Sequence, residues 1–161
     1  MGSIKYVIGI HSNAIPSGGL MSSHAWITLT TLPQPQPLNG KKMSVSYGLW
    51  PDSHPKTTDN GPETDVRVGL EAASGLYNRY FELSAIKYAK FIQLVATTAH
   101  WRMTNNCSSW ASDMIYNLFK IDIDADEFLG LETPRELSDS IRILEMKQKT
   151  SIASPKKTGA F

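Results

Sequence analysis

The sequence predicts an α+β fold of one domain, with antiparallel strands in the first half and helices in the second. Three observations predict it. The first half carries short segments rich in β-branched and aromatic residues, separated by loops rich in proline and glycine. After residue 84 the apolar residues recur with the period of a helix. The length of 161 residues is enough for one hydrophobic core and too short for two comfortable domains.

Five segments of the first half are predicted to be strands. The second shows the pattern most clearly, because Ala25, Ile27 and Leu29 are apolar and alternate with Trp26 and two threonines. A loop broken by prolines and ending in an Asn-Gly turn signal leads to the third strand, so these two strands are predicted to form a long-looped antiparallel hairpin. The predicted strands cover residues 5–11, 24–30, 43–50, 66–71 and 78–84.

Three helices are predicted in the second half. The first has Ser84 as its N-cap and runs to about His100. The third has a strong start signal, with Thr133 as N-cap, Pro134 at the first helical position and Glu136 at the third. The second helix carries an apolar stripe, which consists of Trp110, Ala111, Met114, Ile115, Leu118 and Phe119.

The domain is predicted to span residues 1–145 and to be followed by a disordered C-terminal tail, residues 146–161, because the chain becomes polar and loses its period after about Glu145. The formal net charge is +1, and lysine and arginine collect on no face, so binding to nucleic acid is not expected. No run approaches the ~20 apolar residues that cross a bilayer, so no membrane insertion is expected. The N-terminal apolar segment is short for a signal peptide and is interpreted as a strand.

The only cysteine is Cys107, which excludes an internal disulfide and a zinc site with several cysteines. Its phase matches the apolar stripe, so we expect it in the first turn of the second helix, facing the protein body. The free N–H groups and partial positive charge of a helix N-terminus stabilise a thiolate and could hold an oxyanion. A cysteine that merely fills the core is the alternative, but the polar segment NNCSSWA around it favours a nucleophile.

A nucleophilic cysteine needs a base, and the chain has four histidines. His100 is expected near the end of a helix and His54 in a loop, where side chains are usually solvated. His11 ends the first predicted strand. His24 opens the second, after the pairs Gly-Gly and Ser-Ser, so it could face a helix N-terminus without being covered. His24 is therefore the candidate base. The alternative interpretation is that His24 is only a polar residue at the edge of a strand, without a catalytic role.

No cofactor and no metal site are predicted. The segment DIDADE begins like a calcium loop, but Glu127 occupies the sixth position, where such a loop needs glycine. The twelfth position is Thr133 instead of a glutamate, so the segment is interpreted as a solvated acidic turn. A glycine-rich phosphate-binding loop is not present either.

The segments HAWITLT and NCSSWA, in this order, resemble the circularly permuted branch of the papain-like cysteine hydrolases, which includes NlpC-type cell-wall peptidases and lecithin:retinol acyltransferase-like proteins. In that branch the histidine strand precedes the cysteine helix. The resemblance maps the cysteine of the family onto Cys107 and its histidine onto His24, and it covers most of residues 20–120 in the order of elements. Five segments together resemble small peptidoglycan amidase toxins associated with type VI secretion: HAWITLT, YGLWPDSHP, DNGPETDVRVGLE, NNCSSWASD and TPRELSDSI.

The family also has a third polar residue, which orients the histidine from the strand that follows the histidine strand. Pairing the ends of the predicted hairpin, Thr30 with Met43, brings His24 opposite Trp50 and places Asp52 just beyond. A carboxylate at Asp52 would stabilise the imidazolium, although the sequence PDS is also ordinary turn chemistry. The alternatives for this third position are His54, Tyr47 and Ser46.

The resemblance implies a cysteine amidase that cleaves peptidoglycan peptides, is secreted without a standard signal peptide and acts in the periplasm of a target cell; otherwise the protein is expected in the cytoplasm. It also implies a cognate immunity protein in the producing cell. Acyl transfer, deamidation or thioester cleavage by the same pair of residues is a second expectation. A non-catalytic binding domain with a buried Cys107 is a third, from another functional class.

Overall fold

A computed structural model describes residues 3–15, 17–19, 23–34, 43–52, 58–126 and 130–158. The fold is α+β, as the sequence predicts, with a five-stranded antiparallel sheet and three helices in this part of the chain. The strands are β1 (Ser3–Ser12), β2 (Ala25–Gln34), β3 (Met43–Leu49), β4 (Val66–Val68) and β5 (Tyr77–Leu83). The helices are α1 (Ala85–Ala96), α2 (Cys107–Phe119) and α3 (Pro134–Lys147). Within these ranges, none of the helices is long and apolar enough to cross a membrane.

The sheet has the strand order β4-β3-β2-β1-β5, and the long antiparallel pair of β1 and β2 lies near its centre. Both of its edges are covered. Beside β4, the Asn60 N–H donates to the Val66 carbonyl. Beside β5, the backbone of Lys156 hydrogen-bonds to those of Tyr80 and Glu82. Because these edges have backbone partners, they offer little template for pairing with another chain.

One face of the sheet is the wall of the main hydrophobic core. Ala25, Ile27 and Leu29 of β2 are buried in this core with Ile8 and Ile10 of β1, as the predicted alternation requires. Helix α2 packs on this face and adds its apolar stripe. The members of that stripe that are buried in the core are Trp110, Ala111, Met114, Ile115 and Leu118.

The opposite face of the sheet carries polar and aromatic side chains, including His11 and, paired with it across β1 and β2, Trp26. The segment of residues 69–76 lies over this face. It is held there because the Glu71 N–H donates to Ser46 Oγ and Trp26 Nε1 donates to the Ala72 carbonyl. The result is a buried layer of polar groups whose hydrogen bonds come from side chains as well as from the sheet.

Both helix starts that the sequence predicts by an N-cap are confirmed. The Ser84 hydroxyl accepts from the N–H of the residue three positions on, and the Thr133 hydroxyl accepts from the Glu136 N–H. Helix α1 stops at Ala96, before the predicted end near His100. It stops there because the chain after it turns to hydrogen-bond with the segment that leads into β4.

The predicted hairpin of β2 and β3 is present, with a register that differs by one residue. Met43 lies opposite Thr31 and not opposite Thr30. A shift of one residue moves every side chain to the other face of a strand, so register has to be taken from the structure. His24 directly precedes β2, and its ring lies against that of Trp50.

Strand β4 ends at Val68, earlier than the predicted strand 66–71. Gly69 has a φ of +79°, a left-handed conformation that glycine adopts without strain. This turn takes the chain out of the sheet and across its polar face. Because of this turn, Glu71 lies over β3 and is not part of a longer β4.

The C-terminal tail, residues 146–161, was predicted to be disordered, but residues 148–158 make specific contacts with the rest of the domain. Helix α3 continues to Lys147, and the buried Thr150 hydroxyl accepts from the Tyr80 N–H. The Thr158 hydroxyl donates to the Glu82 carbonyl. Hydrogen bonds to the edge of β5 hold this segment in place, although its sequence is polar and lacks an apolar period. Residues 159–161 lie outside the described residues.

Candidate active site

Cys107 is the first residue of α2 and is 6% exposed. The helix begins here because Asn106 caps it: the Asn106 side chain accepts from the N–H groups of Ser108 and Ser109. In return, the Asn106 N–H donates to the Ser109 hydroxyl, which completes a capping box. The predicted position of Cys107 in the first turn is therefore confirmed. Its own N–H lies at the positive end of the helix and takes no part in the capping box.

His24 lies beside Cys107, at the point where the chain enters β2. Its Nε2 is 2.8 Å from Glu71 Oε1, and its imidazole is close enough to the Cys107 side chain for each group to shift the pKa of the other. Since Nε2 is occupied by the carboxylate, Nδ1 is the nitrogen that is left for the sulfur. The Ala25 backbone N–H also lies near the Cys107 side chain and favours its thiolate form. The structure thus brings together the two residues that the sequence selected as nucleophile and base.

Glu71 is the third polar residue at this site. Its carboxylate is 4% exposed, whereas the His24 side chain is 18% exposed. Oε1 accepts from His24 Nε2 and also from Trp50 Nε1, at 2.7 Å. The arrangement is a row of three side chains, Cys107, His24 and Glu71, in which the carboxylate orients the imidazole toward the sulfur.

Gly48 makes room for the pair of His24 and Glu71. A Cβ at this position would overlap Glu71 Oε1 and would lie 2.9 Å from His24 Nε2. Any residue larger than glycine at position 48 would therefore push the Glu71 carboxylate or the His24 imidazole away. A glycine inside a strand often marks such a close approach.

The charges at the site favour an ionised pair. Burial alone would lower the pKa of His24, but the hydrogen bonds to Cys107 and Glu71 and the charges of these groups raise it to about 9. Burial alone would raise the pKa of the Cys107 thiol, but the hydrogen bond and positive charge of His24 lower it below its ordinary value. The two shifts act in the same direction, because each favours a thiolate on Cys107 beside an imidazolium on His24.

This arrangement supplies the groups that acyl chemistry needs. The thiolate of Cys107 is a nucleophile, and the imidazolium of His24 holds a proton that a leaving group can accept. The Cys107 N–H, at the start of α2, can donate to an oxygen that becomes negative. Because the His24 side chain is more exposed than Cys107, the pair is open to solvent mainly on the imidazole side.

Asp52, the predicted third residue, is placed elsewhere, and Glu71 occupies the position beside His24. Asp52 lies close to Asp65, and both line an acidic cavity of about 290 Å³. The other residues that line this cavity are Asp59, Glu63, Thr64, Asp65 and His100. Glu71, and not the predicted Asp52, lies against His24 because the segment after β4 folds back over the sheet.

The alternatives to Asp52 also have other roles. Tyr47 packs edge-on against Phe91, with ring centroids 5.4 Å apart, at the hydrophobic core. Ser46 accepts from the Glu71 N–H and so supports the third residue without being it. His54 lies outside the described residues. Gly48 was the sequence signal that could have led to Glu71, since it marks a close approach just before Trp50.

Comparisons with known proteins do not identify a relative: no family model matches the chain, and none of the curated proteins or solved structures compared with it matches. Among the described residues, no group of three or more His, Cys, Asp or Glu side chains is placed to hold a metal ion.

Proposed function

We propose that this protein is a cysteine hydrolase that cleaves an amide bond, with Cys107 as nucleophile, His24 as acid and base, and Glu71 as the residue that orients His24. The observation that supports the proposal is the row of three side chains in which His24 lies beside Cys107 and its Nε2 is 2.8 Å from Glu71 Oε1. A cysteine that only filled the core would not need a base and a buried carboxylate beside it.

In the first half of the reaction, the Cys107 thiolate attacks the carbonyl carbon of the amide and forms a C–S bond. The carbonyl oxygen becomes negative and accepts a hydrogen bond from the Cys107 N–H. As this oxyanion collapses, the C–N bond breaks and the leaving nitrogen takes the proton from Nδ1 of His24. The products of this half are a free amine and a thioester on Cys107.

In the second half, water attacks the thioester carbonyl while Nδ1 of His24, now neutral, accepts a proton from it. The C–S bond breaks, the acid product leaves, and Cys107 returns to the thiolate beside the imidazolium. Glu71 neither gains nor loses a proton in either half. Its role is to stabilise the positive imidazole and to fix the orientation of the ring.

We further propose a papain-like fold in the permuted order and a peptidoglycan peptide as substrate. The support is the order of elements, since His24 precedes β2 and Cys107 begins α2, later in the chain. The motif resemblance adds a role as a type VI secretion effector that acts in the periplasm of a target cell and is neutralised by an immunity protein. Acyl transfer by the same residues is an alternative in which another nucleophile replaces water in the second half. Deamidation and thioester cleavage are alternatives in which the first half acts on a side-chain amide, with ammonia as the leaving group, or on a thioester, with a thiol as the leaving group.

The test is digestion of purified sacculi by the wild-type protein and by Cys107→Ala, with the products identified by mass spectrometry. We expect a new amine and a new carboxylic acid for each bond cut, and a loss of activity of about 10³-fold or more in the variant. Melting temperature is the control, and Cys107→Ser, which keeps the size of the side chain, checks the fold. An active Cys107→Ala variant would overturn the role of Cys107, and products without a new carboxylic acid would favour the transfer reaction.

A further inference from the structure

Two tryptophan rings flank the His24 imidazole. The ring centroid of Trp50 lies 4.0 Å from that of His24, at a tilt of 36°, and that of Trp26 lies 5.9 Å away and nearly parallel, at 11°. Both indoles donate to the segment that carries the third polar residue. Trp50 Nε1 donates to Glu71 Oε1 at 2.7 Å, and Trp26 Nε1 donates to the Ala72 carbonyl at 2.9 Å.

Glu71 Oε1 is the atom on which these contacts converge. It accepts from the indole of Trp50 and from the imidazole of His24. The other carboxylate oxygen, Oε2, is buried and has no hydrogen-bond partner among the described residues. A buried carboxylate with one unpaired oxygen depends strongly on the few donors that it has. Loss of the Trp50 N–H would leave His24 as the one side chain that this structure shows bonding to the carboxylate.

We propose that Trp50 is a positioning residue of this site: its indole N–H fixes the Glu71 carboxylate against His24, and its ring confines the imidazole to the orientation that faces Cys107. The inference deepens the proposed function and rests on it, because positioning serves catalysis only if Cys107 reacts. Trp26 provides a matched comparison in the same chain. Its N–H holds the main chain at Ala72, so it supports the segment without touching the carboxylate.

The test compares Trp50→Phe with Trp26→Phe, since each substitution removes one indole N–H and keeps an aromatic ring. The readout is the titration of the His24 imidazole by NMR in the Cys107→Ala protein, because Glu71 and Cys107 are the ionisable groups that the structure places against this ring. We expect the pKa of His24 to fall in Trp50→Phe and to change much less in Trp26→Phe. In the protein with Cys107, we expect kcat to fall by roughly 10-fold in Trp50→Phe with little change in KM.

A His24 titration in Trp50→Phe that matches that of the parent protein would overturn the inference, whatever the activity. A purely structural role would lower the melting temperature without moving this titration. If the pKa of His24 falls but the wild-type protein cuts no amide, the proposed function fails and the positioning role stands. If Trp50→Phe does not fold, the same titration is carried out on Trp50→Tyr, whose side chain keeps a ring with a polar edge.

Discussion

His24 and His11 both lie against Trp26, and their surroundings differ in charge. The His11 ring centroid is 5.4 Å from that of Trp26, and that of His24 is 5.9 Å from it. The nitrogens of His11 bond to Asn78 Oδ1 and Thr28 Oγ1, both at 2.7 Å, so its hydrogen-bond partners are neutral. His24 hydrogen-bonds to a carboxylate and lies beside a thiol, and both groups can carry a negative charge.

The difference in partners gives the two histidines opposite protonation states. Burial lowers the pKa of His11 to about 4, because the Asn78 hydrogen bond and the charge of Glu71 offset only part of its effect. The pKa of His24 is raised to about 9, although burial also disfavours its charged form. Burial by itself therefore does not decide the state of a histidine, and charged neighbours in direct contact can reverse its effect. At neutral pH, His11 is a neutral structural bridge and His24 is a cation poised to give up a proton.

Replacement of each histidine by glutamine is the strongest test of this difference. We expect His24→Gln to lower kcat/KM by about 10³-fold or more, because glutamine neither accepts nor delivers a proton in this pH range. His11→Gln should keep most of the activity and lower the free energy of unfolding by about 1–3 kcal/mol, since an amide replaces the buried ring imperfectly. Assays of the proposed amidase activity and urea titrations measure the two effects. If His11→Gln lost activity without losing stability, the assignment of His11 as structural would be wrong.

The identity of the third residue is tested by Glu71→Gln, with Asp52→Asn as the matched control. We expect Glu71→Gln to lower kcat by roughly 10²-fold, because the imidazolium loses the carboxylate that stabilises it. The same loss should lower the pKa of His24 in an NMR titration. Asp52→Asn should leave both quantities nearly unchanged, since the structure places Asp52 against Asp65. The opposite pattern, with activity lost in Asp52→Asn alone, would restore the assignment made from the sequence.

Two glycines offer a paired test, since each makes room for one of the histidines. A Cβ at Gly48 would overlap Glu71 Oε1, whereas a Cβ at Gly9 would lie 2.5 Å from His11 Nε2 and 2.7 Å from Thr28 Oγ1. We expect Gly48→Ala to lower kcat by about 10-fold, because a misplacement of catalytic groups by a fraction of an ångström is costly. Gly9→Ala should lower stability, by about 1–3 kcal/mol, and spare the activity of the folded fraction. Assays at equal concentrations of folded protein separate the two outcomes.

The pH dependence of stability gives one more test, because His11 should cause a loss of stability in mild acid. Its folded-state pKa of about 4 lies below the ordinary value of 6.5, so its neutral form is favoured by folding. As pH falls from 6.5 toward 4, the unfolded chain binds a proton that the folded protein does not, and stability is lost progressively, up to about 3 kcal/mol. The difference between the wild-type protein and His11→Gln in urea titrations should therefore shrink from pH 7 to pH 4.5. A constant difference over that range would contradict a neutral buried His11.

Local pattern was a good guide to the elements of this chain. The caps at Ser84 and Thr133 were predicted because the hydroxyl and the N–H that it binds are only three residues apart. The first-turn position of Cys107 followed from the helical period of α2, which is also a local property. The contacts of residues 148–158 escaped prediction because their partners on β5 lie far away in sequence and the segment has no period.

The residues of the candidate site were predicted in part, for a similar reason. Cys107 and His24 could be chosen because each stands at a recognisable element boundary. Glu71 could not, because its approach to His24 depends on the turn at Gly69, the hydrogen bond to Ser46 and the space at Gly48. The hydrogen bond to Ser46 and the space at Gly48 both belong to β3, which is distant from Glu71 along the chain.

The sequence by itself determined the fold class, the position of most elements and the place of Cys107 at a helix start, because periodicity and capping act over a few residues. The tertiary structure decided which carboxylate meets His24 and which histidine is charged. Both depend on contacts between segments that are distant along the chain, such as the 2.8 Å contact of His24 with Glu71. In a buried site the energy of an ionised group is set by those contacts, and their distances exist only once the chain has folded.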